Sequence, residues 1–138
     1  MTEKIVLVPG DGIGKEIAES VKAVSAVLTP AIMWVHHEAG AEYYEQHGAL
    51  FEPSLLEDIE HTGVCIKGPT ATPVGTGFRS INVQLRQAFH TNISLRPVHS
   101  LPGVNSRYED VDIVIFRENS EDLYKGVEYM YDRDTAHG

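Results

Sequence analysis

Cysteine, basic residues and long apolar runs are all scarce in this sequence, and each scarcity excludes a class of protein. Cys65 is the only cysteine among 138 residues, so an internal disulfide is impossible and a cysteine-based zinc site is disfavoured. We interpret it as a buried core thiol. Asp and Glu outnumber Lys and Arg by 20 to 11, which gives a formal net charge of −9. That balance argues against nucleic acid and anionic membranes as partners, because both bind clustered cations.

The apolar stretches are too short for a membrane span. The beginning "MTEKIVLVPGDG" also lacks the charged, apolar and small-residue layout of a signal peptide. We therefore expect a cytoplasmic protein that does not enter a membrane. A chain of this length suffices for one domain with a modest core.

Strand and helix patterns alternate along the chain. Short apolar runs closed by turn residues predict strands at 4–10, 31–39, 64–69, 92–98 and 111–119. Helical spacing, with Gly48 and Gly63 as end signals, predicts helices at 14–28, 41–48, 52–63 and 81–89. The alternation predicts an α/β fold with a largely parallel sheet flanked by helices. Residues 127–138 begin like an extended segment and stop without a closing element, so we expect the chain to be the front part of a longer protein.

The segment "PGDGIGKE" (9–16) places three glycines between a predicted strand and a predicted helix. Glycines at such a point allow a tight turn or a close approach to a ligand. The spacing is G-x-G-x-G, which is neither the dinucleotide fingerprint nor a phosphate-binding P-loop. Taken alone, the segment fits a plain connection as well as it fits a ligand loop.

Arginines are informative in so acidic a chain. Arg86 lies on the helix that Ser80 is placed to cap, and Arg96 and Arg117 end strand patterns. Ligands of open α/β sheets usually lie at strand ends, where guanidinium groups could clamp carboxylates or phosphates. Surface salt bridges are the alternative, and the residues alone favour it. Likewise Tyr124 could be a proton donor near arginines, although a packed loop tyrosine is the commoner case.

Four segments together resemble the isocitrate/isopropylmalate dehydrogenase family, and they are most similar to its isocitrate branch. The segments are "VPGDGIGKE", "GPTATPVGTGFRSINVQLRQ", "NISLRPV" and "DIVIFRENSEDLYKGVEY". They follow one another in the family's order from about residue 4 to the end of the chain. The first is shared across the family, whereas the middle and last ones are more specific.

The resemblance implies a substrate site for isocitrate. It assigns the carboxylate contacts to Ser80, Asn82, Arg86, Arg96 and Arg117, and the role of catalytic acid to Tyr124. Three guanidiniums can pair with the three carboxylates of isocitrate. In the isopropylmalate branch an apolar pocket replaces the serine and asparagine contacts, so their presence favours isocitrate.

The resemblance also implies a nicotinamide nucleotide, NAD or NADP, near Ile13, Thr70, Thr72 and Asn82. Ala71 departs from the family, since many isocitrate enzymes have threonine there. The implied reaction is oxidation of the hydroxyl followed by loss of CO₂, assisted by Mg²⁺ or Mn²⁺. The family's metal-binding aspartates and catalytic lysine would lie beyond Gly138, the lysine coming from the second subunit of a homodimer. We therefore expect no metal ligand in this chain and no turnover by the chain alone.

By the same resemblance, the family fold is incomplete in this chain. Residues 1–90 would begin the large α/β domain, 91–126 would form strands leading into the small domain, and 127–138 would begin the dimer-forming region. Two alternatives stay open. One is a homoisocitrate or 3-isopropylmalate dehydrogenase, and the other is a non-catalytic regulatory subunit of the same family.

Overall fold

The chain forms two compact units, Met1–Ala88 and Phe89–Gly138. The computed structural model describes residues 2–28, 31–71, 80–121, 125, 129–132, 134 and 136–137. Two of the predicted site residues, Thr72 and Tyr124, lie outside these ranges.

The first unit is built on a three-stranded parallel sheet. Strand β1 (Glu3–Val8) lies between β2 (Ile32–His36) and β3 (Cys65–Lys67). The apolar end of β1 forms the centre of the core, where Val6, Leu7 and Val8 are at most 1% exposed. A central strand covered on both faces requires such a continuous apolar run. The predicted α/β fold with a parallel sheet is confirmed.

Four helices accompany this sheet, all close to their predicted positions. They are α1 (Gly14–Leu28), α2 (Ala41–His47), α3 (Leu55–Thr62) and α4 (Ile81–Ala88). Gly48 and Gly63 end α2 and α3 in the left-handed conformation, with φ of 69° at each. Helix α3 packs against β1 and buries Leu55 and Ile59. Helix α1 buries only Gly14 and Ala18, so most of its apolar stripe is exposed.

The described part of the second unit consists of antiparallel strand pairs. Strand β4 (Ile93–His99) pairs with β5 (Asp112–Glu118), and the short β6 (Tyr129–Met130) pairs with β7 (Ala136–His137). Parallel pairing normally needs a crossover helix between the strands. Residues 100–111 contain no helix, and β5 returns alongside β4 in the opposite direction.

Candidate functional site

The glycine loop after β1 packs directly on the loop after β3. Gly10 has φ of 77°, and a Cβ atom there would lie 1.9 Å from the carbonyl oxygen of Pro69. The backbone N–H of Asp11 donates to the same oxygen at 2.8 Å. The close approach of Pro69 therefore requires glycine at position 10 whether or not a ligand binds. The contact also joins the two loops that carry the predicted nucleotide contacts Ile13 and Thr70.

Lysine 67 supports the loop after β3 from within. Its Nζ donates to the carbonyl of Gly68 at 2.6 Å and to Oγ1 of Thr70 at 3.0 Å. Partial burial lowers the pKa of the Lys67 ammonium, although Cys65 and Asp11 oppose that shift. Burial also raises the pKa of the half-buried Cys65 thiol. Cys65 is thus less buried than the core position predicted from the sequence.

Ile13 and Thr70 are the predicted nucleotide contacts of these two loops. Ile13 is 68% exposed, and its carbonyl accepts a hydrogen bond from Ile17 N–H at 3.1 Å in the first turn of α1. The hydroxyl of Thr70 is oriented by Lys67. The third predicted contact, Asn82, lies on α4, and the fourth, Thr72, is outside the described residues.

Helix α4 carries two predicted substrate residues, Asn82 and Arg86, and a third, Ser80, directly precedes it. Asn82 and Arg86 are four residues apart, which places them on one face of the helix. Ser80 precedes the helix, and its backbone carbonyl accepts the N–H of Gln84 at 3.0 Å. Ile81 is fully buried and anchors this end of the helix. Asn82 is exposed and Arg86 is partly buried.

Arg96 and Arg117 lie on the β4–β5 pair, and the predicted position at a strand end was wrong for Arg96 but not for Arg117, which is next to the last residue of β5. Arg96 is in the middle of β4 and not at its end, and the two strands are antiparallel, so their carboxyl ends lie at opposite ends of the pair. Their side chains nevertheless share one face, because Ser94 is opposite Arg117 and Arg96 is opposite Ile115. Arg96 Nε donates to Ser94 Oγ at 3.4 Å. The register of the antiparallel pair thus brings the two arginines to one face, whereas the sequence argument had expected strand ends to group them.

A cavity of about 290 Å³ beside the glycine loop does not suit an anionic substrate. Its charged lining consists of one lysine and four carboxylates: Lys15, Asp11, Glu19, Glu38 and Glu42. The lysine is paired with Glu42 at 2.5 Å. That contact raises the pKa of Lys15 and lowers the pKa of Glu42. The cavity includes none of the predicted substrate residues.

The described residues form no group of three or more His, Cys, Asp or Glu side chains that could hold a metal ion. In the lining of this cavity, the Asp11 and Glu42 carboxylates accept hydrogen bonds from backbone N–H groups, and Glu42 also pairs with Lys15. Among the helices in the described part of the chain, none is long and apolar enough to cross a membrane.

Sequence reasoning overlooked two residues that hold the loops together, Asp11 and Lys67. Asp11 stands between the first two glycines of the loop, and Lys67 ends β3. Their contacts follow from how the two loops pack, which residue spacing alone does not reveal. A polar residue inside a glycine-rich turn was the only available signal.

Comparison with known proteins agrees with this architecture. A family profile described as isocitrate/isopropylmalate dehydrogenase matches residues 4–138. The chain is 43% identical over 130 residues to isocitrate dehydrogenase [NAD] catalytic subunit 5, mitochondrial, of Arabidopsis thaliana, covering 94% of this chain and 35% of the relative. It is 41% identical over 133 residues to the chloroplastic 3-isopropylmalate dehydrogenase of Solanum tuberosum, covering 96% and 37%.

A solved structure, isocitrate dehydrogenase from Methylococcus capsulatus, matches with a TM-score of 0.84 and 38% identity. The match covers 98% of this chain and 41% of that one. The chain spans about a third of the length of the curated relatives it matches. The profile match, the identities and the shared fold agree: this chain belongs to the isocitrate/isopropylmalate dehydrogenase family.

Proposed function

We propose that this chain forms the substrate-binding part of a dehydrogenase that converts isocitrate to 2-oxoglutarate with NAD or NADP. The observation that carries the proposal is the arrangement of its cations. Asn82 and Arg86 share a face of α4, and Arg96 and Arg117 share a face of the β4–β5 pair. The two side chains of each pair can therefore donate hydrogen bonds to the same anion.

Charge and hydrogen-bonding capacity fit a tricarboxylate. Guanidinium groups bind carboxylates through two parallel N–H donors, and isocitrate offers three carboxylates to Arg86, Arg96 and Arg117. The Ser80 hydroxyl and the Asn82 amide can donate to the remaining oxygens. A chain with a net charge of −9 has few cationic sites for an anion. Arg96 and Arg117 on one face of the β4–β5 pair are therefore candidates for such a site.

Oxidation of the substrate hydroxyl needs a hydride acceptor, which the nicotinamide ring of NAD or NADP supplies when bound. We assign the nucleotide contacts in this chain to Ile13, Thr70, Thr72 and Asn82. Loss of CO₂ from the resulting β-keto acid leaves an enolate that must be protonated, and Tyr124 is the proposed acid. Mg²⁺ or Mn²⁺ also belongs to the proposal, although the described residues form no group of side chains that could hold it.

A 3-isopropylmalate substrate is the second candidate, favoured by the similarity to the Solanum tuberosum enzyme. Homoisocitrate is a related possibility. Isopropylmalate presents an isopropyl group where isocitrate presents a carboxylate, and an apolar group next to Ser80 and Asn82 would leave their donors unpaired. A regulatory subunit would bind isocitrate without turnover.

Assembly and compartment complete the proposal. We propose a homodimer in which residues 127–138 begin the dimer-forming region. Residues 1–90 would belong to the large α/β domain, and residues 91–126 would form the strands that lead into the small domain. The cytoplasmic location stays a prediction. The two plant relatives are named as mitochondrial and chloroplastic proteins.

The test is a full-length hybrid enzyme in which residues 1–138 replace the matching part of the Methylococcus capsulatus isocitrate dehydrogenase. We would measure kcat/KM for isocitrate, homoisocitrate and 3-isopropylmalate with each nucleotide. We expect isocitrate to be preferred, and Arg86→Gln to lower its kcat/KM by roughly 100-fold because a bidentate pair is lost. Ser80→Leu should reduce the ratio of kcat/KM for isocitrate to kcat/KM for 3-isopropylmalate.

Glu45→Gln is the matched control, since Glu45 is exposed on α2 and none of the proposed contacts uses it. Preference for 3-isopropylmalate in the unsubstituted hybrid would replace the first candidate by the second. Tight isocitrate binding without NADH or NADPH production would favour the regulatory alternative.

A further inference from the structure

Asp11 joins three segments that are distant in sequence. Its Oδ2 accepts the backbone N–H of Ala41 at 3.1 Å and that of Ala71 at 2.6 Å, and its Oδ1 accepts the N–H of Glu42 at 3.0 Å. Its own N–H donates to Pro69. One side chain in the glycine loop thereby holds the start of α2 and the loop after β3.

The surrounding residues keep this position available to the carboxylate. Gly40 has φ of 127°, and a Cβ atom on it would lie 2.1 Å from Oδ2 of Asp11. Glu42 returns the contact from α2, because its Oε1 accepts the N–H of Gly12 at 3.2 Å and its Oε2 pairs with Lys15. Loop and helix are thus linked by two carboxylates pointing in opposite directions.

We propose that Asp11 is a positioning residue for the nucleotide. It fixes the backbone at Ala71 against the glycine loop and holds Ile13 and Thr70, one on each loop, in a single arrangement. The inference rests on the proposed function, because it assumes that these two loops bind NAD or NADP. Asp11 acts through the backbone and needs no contact with the nucleotide.

A carboxylate is required because all three partners are donors. In Asp11→Asn one oxygen becomes an NH₂ group, which would face an N–H and cannot accept it. Three charge-assisted hydrogen bonds hold the loops in one geometry before a ligand arrives, so the ligand does not have to order them. Loss of the clamp should therefore weaken nucleotide binding more than it weakens binding of the acid substrate.

The first experiment measures amide hydrogen exchange by NMR in the 138-residue chain. In Asp11→Ala, which removes both acceptor oxygens, we expect exchange at Ala41, Glu42 and Ala71 to be roughly tenfold faster or more. Exchange within β1 should be unchanged, and Glu45→Gln should leave all of these amides as they are. Unchanged exchange at Ala71 in Asp11→Ala would overturn the proposal.

The second experiment measures steady-state kinetics in the hybrid enzyme. Asp11→Ala should raise the KM for nucleotide roughly tenfold while the KM for isocitrate stays within about threefold. Gly40→Ala, which keeps Asp11 but crowds its carboxylate, should reproduce this split. An unchanged KM for nucleotide, or an equal rise for both substrates, would refute positioning even if exchange changes. If the unsubstituted hybrid oxidises no substrate, the proposed function fails, and exchange at Ala71 still decides whether Asp11 holds the loops.

Discussion

His37 shows how a single side chain can connect separate parts of the first unit. It is 4% exposed, with Nδ1 2.6 Å from Oε2 of Glu52 and Nε2 2.8 Å from Oδ2 of Asp58. Each ring nitrogen thus has a carboxylate oxygen within hydrogen-bonding distance. The residue after β2 is thereby tied to the segment before α3 and to α3 itself.

Replacing His37 by leucine should lower the free energy of unfolding by about 2–3 kcal/mol, because two carboxylates would then face an apolar side chain. The figure is below that for a fully buried pair, since Glu52 and Asp58 are 31% and 42% exposed. Urea unfolding followed by fluorescence of Trp34, the only tryptophan, reports on this unit.

His36→Leu is the matched control for this substitution. His36 is adjacent and exposed at the end of β2, so its replacement should change the stability by less than about 0.5 kcal/mol. Equal stability of the two variants would show that the contacts of His37 contribute nothing.

At the residue scale, the sequence could predict which side chains are unusual but not which ones meet. His36 and His37 are adjacent within the predicted strand 31–39, where alternation would place them on opposite faces, and His37 is buried while His36 is exposed. The carboxylates that surround His37 are 15 and 21 positions away. Contacts over such separations depend on how helices and loops pack, which local patterns do not encode.

At the scale of elements, the turn after β5 is organised by the side chain that ends the strand. The Glu118 carboxylate accepts the Ser120 hydroxyl, the Ser120 N–H at 2.7 Å and the Glu121 N–H at 3.0 Å. These hydrogen bonds, with the Ser120 hydroxyl contributing most, lower the pKa of Glu118 from 4.5 to about 2. The turn lies between the strand that carries Arg117 and the segment that leads to Tyr124.

Because its pKa is lowered in the folded chain, the Glu118 carboxylate stabilises the turn fully above pH 4.5 and loses this effect as the pH falls towards about 2. NMR titration of the side-chain carboxyl carbon should give a midpoint near pH 2. Ser120→Ala should move that midpoint up towards the ordinary value.

Ser106→Ala is the control for this titration, since the Ser106 hydroxyl donates to the carbonyl of Tyr108 and not to Glu118. A midpoint near 4.5 in the unsubstituted chain would contradict the hydrogen-bonded turn. An equal shift in both serine variants would contradict the specific role of Ser120.

At the same scale, turn residues and apolar runs in the sequence predicted the helix ends and the central strand correctly. Gly48 and Gly63 end their helices in the left-handed conformation, and the apolar run of β1 is the buried central strand. Strand direction was less accessible, since β4 and β5 look like buried strands in sequence but form an antiparallel pair. Arg96 and Arg117 therefore share a face because of the antiparallel register, and not because both lie at strand ends.

At the scale of the whole molecule, the family could be read from the sequence but the substrate could not. The four motifs identify the family because they preserve both residue types and order, as the match over residues 4–138 confirms. Isocitrate and isopropylmalate enzymes are almost equally similar to this chain, at 43% and 41% identity. In the proposed function, substrate choice depends on a few side chains such as Ser80 and Asn82, which overall identity hardly registers.

The β4–β5 pair leaves one apolar face exposed. Leu95 lies directly opposite Phe116, and these side chains are 58% and 70% exposed. Ile93 and Val114 lie on the same face and are at least half exposed. Contiguous apolar surface of this kind favours association between molecules, because burying it removes apolar area from water.

We expect the 138-residue chain to self-associate through this face. Sedimentation velocity over a range of protein concentrations should show a sedimentation coefficient that rises with concentration, and Leu95→Thr/Phe116→Thr should remain monomeric because threonine keeps the strand but removes the apolar surface. Ile115→Thr is the control, since Ile115 is on the opposite face beside Arg96 and Arg117. A chain that stays monomeric at all concentrations, or a control that abolishes association as completely as the double variant, would show that the Leu95–Phe116 face does not drive association.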